Sequence, residues 1–169
     1  MDLLPEILSR QSIKKFKSEP VEKDSLNRIL EAGRRAPSAK NRQPWRFIII
    51  DEKDLREKIE RAAFGQEHVG QAPIIIAACS TNIDYVMPNG QLSYPIDITF
   101  AVSFMMLQAE HEGLGTCVIT TYDEREIKEL LTVPYSMKVV MLLLVGHPQE
   151  RPFPESRKPI KRICSYNHW

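Results

Sequence analysis

The chain has 169 residues, of which 43% are hydrophobic and 27% charged, with a formal net charge of +1. That length allows one domain with a genuine hydrophobic core. The near-neutral balance argues against a nucleic-acid binder working through bulk electrostatics, and no apolar run approaches the roughly 20 residues that cross a bilayer. The start, MDLLPEILSR, sets acids before its apolar residues and lacks the basic-then-apolar pattern of a signal peptide, so a cytoplasmic location is expected. Cys79, Cys117 and Cys164 are far apart, with no CxxC and no histidine at ligand spacing, so reduced thiols are expected rather than disulfides or a metal site.

No repeat, low-complexity tract or linker interrupts the chain, and a single domain over 1–169 is expected. Asp2 to Ser9 reads as a short helix. Lys23 to Arg35 reads as a longer one, with Leu26, Ile29, Leu30 and Gly33 on one face. Residues 45–50 read as a strand, after which Asp51 can cap a helix running through Ala63, with Leu55, Ile59 and Ala62 on its inner face. Ala72 to Cys79 is an apolar run of buried-strand length, followed by a loop from Thr81 to about Tyr94. Ile96 to Glu112 is helical and hydrophobic on nearly every face, which suits a core or an interface, with Gly113 as its stop. Gly115 to Ile119 reads as a strand, Asp123 and Glu126 as a capping box opening a helix through Leu131, and Lys138 to Gly146 as the strongest strand. The basic, proline-rich remainder is expected to be irregular. The order of elements predicts an α+β fold with helices on both sides of a small sheet.

Four segments carry candidate chemistry. In SRQSIKKF (9–16), extended backbone sends Arg10, Ser12 and Lys14 one way and Ile13 and Lys15 the other. A guanidinium, a hydroxyl and an ammonium on one edge suit a phosphate; a solvated basic strand is the plain alternative. In RRAPSAKNRQPWRFIII (34–50), Pro37 ends a helix and Pro44 fixes the chain before a strand. Between them Ser38, Asn41 and Gln43 offer groups that donate and accept, suited to the edge of a heterocycle; a well-capped helix–strand connection is the alternative. The EGLGTCVITTYD stretch could present backbone N–H groups at Thr120 and Thr121, or Gly113 is only a helix stop; Arg157-Lys158 could form a second arm for an anion, though a solvated basic tail is the better reading of that segment by itself. No Walker lysine, GxGxxG fingerprint, GxSxG elbow or HExxH spacing is present. His111 is expected to meet the C-terminal carbonyls of its helix.

Taken in order, SRQSIKKF, APSAKNRQPWRFIII, APIIIAA, IDITFAVSFMMLQAEHEGLGTCVI, VVMLLLVGHP and a tail with SRKP resemble the nitroreductase family of FMN-dependent oxidoreductases over essentially the whole chain. The resemblance implies a nitroreductase-like α+β fold, with a central mixed or antiparallel sheet flanked by helices, in an intertwined homodimer with FMN sites at the subunit interface. It implies that Arg10, Gln11 and Ser12 hold the FMN phosphate and ribityl chain, with Arg157 and Lys158 as further phosphate ligands. Lys14 would sit near the flavin N1/O2 edge, where a cation stabilises the charge developed on reduction. Pro37, Ser38 and Asn41 would line the cofactor, in part from the partner subunit. Ile119, Thr120 and Thr121 would pass beside the ring, and Gln66 would contact it.

The implied reaction is ping-pong: NAD(P)H gives hydride to tightly but non-covalently bound FMN, and an electron-poor acceptor such as a nitroaromatic or quinone takes it. Solvent can protonate the product, so no side chain is assigned an acid or base role. Flavin fragmentation, reductive dehalogenation, reduction of an activated alkene, and non-catalytic FMN binding remain open on the same scaffold, and an anion-binding structural dimer without flavin is the remaining alternative. Gln11 and Thr121 depart from residues common in the family. The loop 81–94, with Tyr85, Met87 and Tyr94, is the main candidate for a substrate lid.

Overall fold

The computed structural model describes residues 3–169. Four strands form one sheet in the order β1-β2-β4-β3, every named pairing antiparallel. They are β1 (Trp45–Ile50), β2 (Ile74–Ser80), β3 (Gly115–Ile119) and β4 (Lys138–Gly146). The helices are α1 (Pro5–Ser9), α2 (Lys23–Arg34), α3 (Lys53–Ala62), α4 (Glu67–Gln71), α5 (Tyr94–His111) and α6 (Glu124–Leu131). The α+β expectation holds. Among the described residues the one parallel pairing is an isolated bridge between Ser12 and Thr116.

The unbroken apolar runs in β2 and β4 follow from their central positions, where both faces are covered. Ile75, Ala77 and Cys79 of β2, with Val139, Leu142 and Leu144 of β4, enter one core together with Ile59 of α3, Val69 of α4 and Ile127 of α6. Their neighbours Ile74, Ile76, Ala78, Met141, Leu143 and Val145 enter a second core with Ile29 of α2 and Ile98, Val102 and Met105 of α5. Strand alternation thus sorts one apolar run into two layers.

Differences from the sequence reading have local causes. The helix expected over 2–9 begins at Pro5, and Asp2 lies outside the described residues. Asp51 does not cap α3; the N-cap is Glu52, with no side-chain cap bond. α5 begins at Tyr94, earlier than expected, because Pro95 sits in the first turn, where its missing N–H costs nothing. Gly113 adopts φ 75° just past the end of that helix, and Asp123 caps α6 by accepting from Glu126 N–H at 3.0 Å. His111 lies against Glu6 rather than its own helix end, Nδ1 to Oε1 at 2.7 Å, and this contact holds the Glu6 carboxyl below its usual range. Short α4, EHVGQ, is too brief for an apolar period to mark it in the sequence. No helix among the described residues is long and apolar enough to cross a membrane.

Candidate active site

The 9–16 segment does not run on as a strand. Ser12 bridges Thr116 on the free edge of β3, and Ile13 N–H donates to the Thr116 carbonyl at 2.9 Å. The chain then crosses to the end of β4, where Lys17 N–H donates to His147 O and Gln149 N–H to Lys15 O, both at 2.9 Å. Ile13 and Phe16 are buried as the two apolar anchors. Ser12 and Lys14 face outward as expected. Lys15 does not turn inward with Ile13; it is exposed and pairs with Glu150 at 2.9 Å.

Arg10, Gln11, Ser12 and Arg157 line one small cavity with Pro152, Phe153 and Glu155. Two guanidiniums thus converge from segments far apart in sequence. Arg157 Nη1 donates to Glu155 Oε2 at 3.2 Å. Gln11 Oε1 is buried without a hydrogen-bond partner, and an acceptor left so is costly unless something donates to it. Lys158 is exposed and does not line this cavity.

The Lys14 ammonium is near enough to act electrostatically on His68 of α4 and Cys117 of β3. Burial, and after it the Lys14 ammonium, holds the His68 pKa below its ordinary value. Burial raises the Cys117 thiol pKa, and Lys14 opposes that rise. Gln66, the α4 N-cap, donates through Nε2 to Ala63 O at 2.8 Å and to Thr121 O at 2.9 Å. This fixes the chain as it leaves β3, with Ile119 buried and Thr120 and Thr121 exposed. Residues 10–12, 14, 66, 119–121 and 157 therefore gather around the outer edge of β3.

Pro37, Ser38 and Asn41 do not join them. Their loop leads into Trp45, which pairs with Ser80 across the sheet from β3, whereas Ser12 bridges Thr116, the partner of Val145. Four strand spacings separate the two laterally, roughly 19 Å at about 4.8 Å each. Six residues of β2, from Ile74 to Ser80, separate them lengthwise, roughly 20 Å at about 3.3 Å per residue. The two groups stand at opposite corners of the sheet.

The opening loop is tightly specified. Lys40, Asn41 and Gln43 adopt positive φ of 53°, 52° and 51° without being glycine. Ser38 Oγ accepts from Gln43 N–H at 2.9 Å, and Gln43 Nε2 donates back to Asn41 O at 3.2 Å, so this amide is turned onto its own loop. Ala39 N–H donates to Asp97 Oδ1 at 2.8 Å. Asp97 is 2% exposed in the first turn of α5, and its Oδ2 has no partner. Tyr85, from the loop expected to be a lid, lies beneath Arg42 and Lys40, with Cζ at 3.7 Å and Nζ at 5.3 Å from its ring centre. Tyr94 belongs to α5 rather than to that loop. Asp97 and His68 were not singled out from sequence: one reads as a stray acid in an apolar helix, the other sits in a helix with no visible period.

The model of the Nitroreductase family matches residues 7–67 and 60–147. An NADH dehydrogenase of Thermus thermophilus is 27% identical, with 96% of this chain and 95% of that protein aligned. An FMN reductase [NAD(P)H] of Bacillus subtilis is 28% identical over 96% of this chain and 72% of its own. The crystal structure of a nitroreductase family protein from Clostridium novyi NT superposes with a TM-score of 0.83 at 34% identity, covering 89% of this chain and 87% of that one. On its fold, its length and its match to the family model, this chain belongs to the nitroreductase family.

Proposed function

We propose that residues 1–169 form a single FMN-binding domain of an NAD(P)H-dependent oxidoreductase, working in the cytoplasm as a homodimer. The observation that carries this reading is the convergence of Arg10, Gln11, Ser12 and Arg157 on one cavity that contains a buried, undonated Gln11 oxygen. Two guanidiniums and a hydroxyl suit a phosphate monoester, and an orphaned acceptor suits a polyol chain whose hydroxyls donate. The residues present fit FMN. Bound there, FMN supplies the hydride relay between NAD(P)H and an electron-poor acceptor such as a nitroaromatic or quinone.

The protein supplies binding and charge. Arg10 and Arg157 neutralise the phosphate, with Lys158 as an outlying helper, and Ser12 and Gln11 hold the chain beside it. Lys14 provides positive charge next to the ring end of the site, where reduction adds negative charge. Gln66 positions Thr120 and Thr121 through its bond to the Thr121 carbonyl. One of them would then offer a backbone N–H to the ring beside Ile119. No side chain is needed as acid or base, because solvent reaches the product.

Pro37, Ser38 and Asn41 serve the site of the other subunit. Opposite corners of one sheet are too far apart to grip one small molecule, whereas a two-fold axis brings one copy's corner to the other's. The surface supports such a pairing: Phe100 and Phe104 of α5 are 45% and 40% exposed. An apolar groove between α1 and α5 is lined by Leu4, Phe104 and Leu107. The tail leaves Phe153, Ile160, Tyr166 and Trp169 without cover in a single chain. Sedimentation with simultaneous absorbance at flavin and protein wavelengths tests the reading: a dimer carrying one FMN per chain is expected, and a monomer that retains FMN contradicts the shared site.

A further inference from the structure

Arg42 and Lys40 both stand over the Tyr85 ring, and among the described residues neither has a carboxylate within ion-pairing reach. Several other surface cations behave differently: Arg28 pairs with Glu112, Arg34 and Arg35 with Glu31, Arg151 with Glu110. Asp84, adjacent to Tyr85 in sequence, is exposed and pairs with neither cation. A guanidinium lying flat on an aromatic ring keeps its N–H edge free for a planar, bidentate acceptor.

The geometry is held at a cost. Lys40, Asn41 and Gln43 sit in the left-handed region, a conformation that non-glycine residues keep only where the surroundings over-determine it. Here the surroundings are the buried Asp97 carboxylate on Ala39 N–H, the Ser38 hydroxyl on Gln43 N–H, and Thr81 N–H donating to Pro44 O at 2.7 Å. Tyr85 is fixed from its own side, since Ser93 N–H donates to its carbonyl at 3.1 Å and Val86 bridges Leu92. A loop strained at three residues, bolted at three points and carrying two unneutralised cations on a fixed ring is arranged before any ligand arrives.

We infer that the Arg42–Tyr85–Lys40 platform is a recognition site for an anionic group, a carboxylate or a phosphate, on the substrate that occupies the pocket over the cofactor. This rests on the proposed function only in placing the opening loop at the flavin pocket. The anion has two chemical sources. One is the 2′-phosphate that distinguishes NADPH from NADH; the other is an acidic substituent on the electron acceptor.

The test compares the natural chain with the double variant Arg42→Gln, Lys40→Gln and with Tyr85→Leu, using two acceptors of the same shape, 4-nitrobenzoate and 4-nitrobenzamide. In the natural chain, kcat/KM should favour either 4-nitrobenzoate over the amide or NADPH over NADH by at least fivefold. The double variant should abolish whichever preference is present while leaving the neutral acceptor and NADH within about twofold. Loss with the acceptor pair identifies an acidic substrate; loss with the nucleotide pair identifies the 2′-phosphate. Raising the salt should narrow the preference in the natural chain and leave the variant unmoved. Tyr85→Leu should weaken the preference without erasing it, because the charges remain and only their support is lost. Calorimetric titration with 4-nitrobenzoate, 4-nitrobenzamide and 2′-phosphoadenosine reads the platform without turnover, so it decides the matter even in a colourless protein. Equal behaviour of charged and neutral partners in the natural chain, by rate and by heat, overturns the platform while a yellow, reducible protein leaves the flavin reading standing.

Discussion

Asp97 Oδ1 accepts the backbone N–H of Ala39 at 2.8 Å, tying the first turn of α5 to the loop between α2 and β1. The bond spans 58 positions of sequence and lies next to three residues of positive φ. Asp97→Ala leaves the half-buried Ala39 N–H without an acceptor and frees the loop to relax. A loss of roughly 1–2 kcal/mol in unfolding free energy is expected, together with weaker FMN binding. Asp97→Asn keeps an oxygen toward Ala39 and should retain most of both. Denaturant melts of the two variants, with FMN titrations, check this; an Ala variant indistinguishable from the natural chain removes the anchor from the account.

Arg10 is the residue whose loss should be felt most at the phosphate. Arg10→Ala should weaken FMN by about 1.5–3 kcal/mol, the range of a hydrogen bond to a charged group, with little change in melting temperature of the apo-protein. Fluorescence quenching of FMN gives the dissociation constant. An unchanged affinity would sink the phosphate assignment.

Gly115 lies beneath Ile13, and a Cβ there would stand 2.5 Å from Ile13 Cγ1. Ile13 is fully buried, so it has little room to yield. Gly115→Ala should cost roughly 1–3 kcal/mol by overpacking. Displacement of Ile13 also drags Ser12 and Lys14, so FMN affinity should fall with stability. A stable variant with normal FMN binding would show that the segment moves independently of β3.

Glu112 joins α2 to α5: Arg28 donates to it from Nε at 2.7 Å and Nη2 at 2.6 Å, with Ser25 and Gln108 adding bonds. The Arg28 guanidinium first, and then these neighbours, lower its pKa to about 2. A folded pKa below the unfolded one means the contribution is complete above the ordinary carboxylate range near 4.5 and is lost as pH falls toward about 2. Glu112→Gln should therefore melt a few degrees lower than the natural chain at pH 7, with the gap closing over that acid window. A gap independent of pH would assign the effect to packing rather than charge.

The sheet was largely legible in the sequence. β1, β3 and β4 fall on the expected residues, 45–50, 115–119 and 138–146; the unbroken apolar run marks β4, a buried central strand, whereas the edge strands β1 and β3 hold Arg46 and Gly115-Thr116. The faces of α2 and α3 were readable from a different signal, apolar residues three and four apart such as Leu26, Ile29 and Leu30. Helix ends were less so: the α3 cap passed from Asp51 to Glu52, and Pro95 lies inside α5 instead of before it. The site was legible as a set of residue types but not as a geometry. Asp97 to Ala39, Gln66 to Thr121 and Arg42 to Tyr85 are contacts across 58, 55 and 43 positions. No periodicity announces such contacts, and the left-handed turns fall on Lys40, Asn41 and Gln43 without a glycine to mark them.

The most direct test of the account is the visible spectrum of the purified protein followed by anaerobic titration with NADH and then NADPH. The expected result is a yellow protein whose flavin band bleaches with about one equivalent of nucleotide per chain and returns on addition of a nitroaromatic or quinone. A protein that stays colourless when FMN is added contradicts the cofactor assignment. A yellow protein bleached by dithionite but by neither nucleotide contradicts the NAD(P)H-dependent reaction.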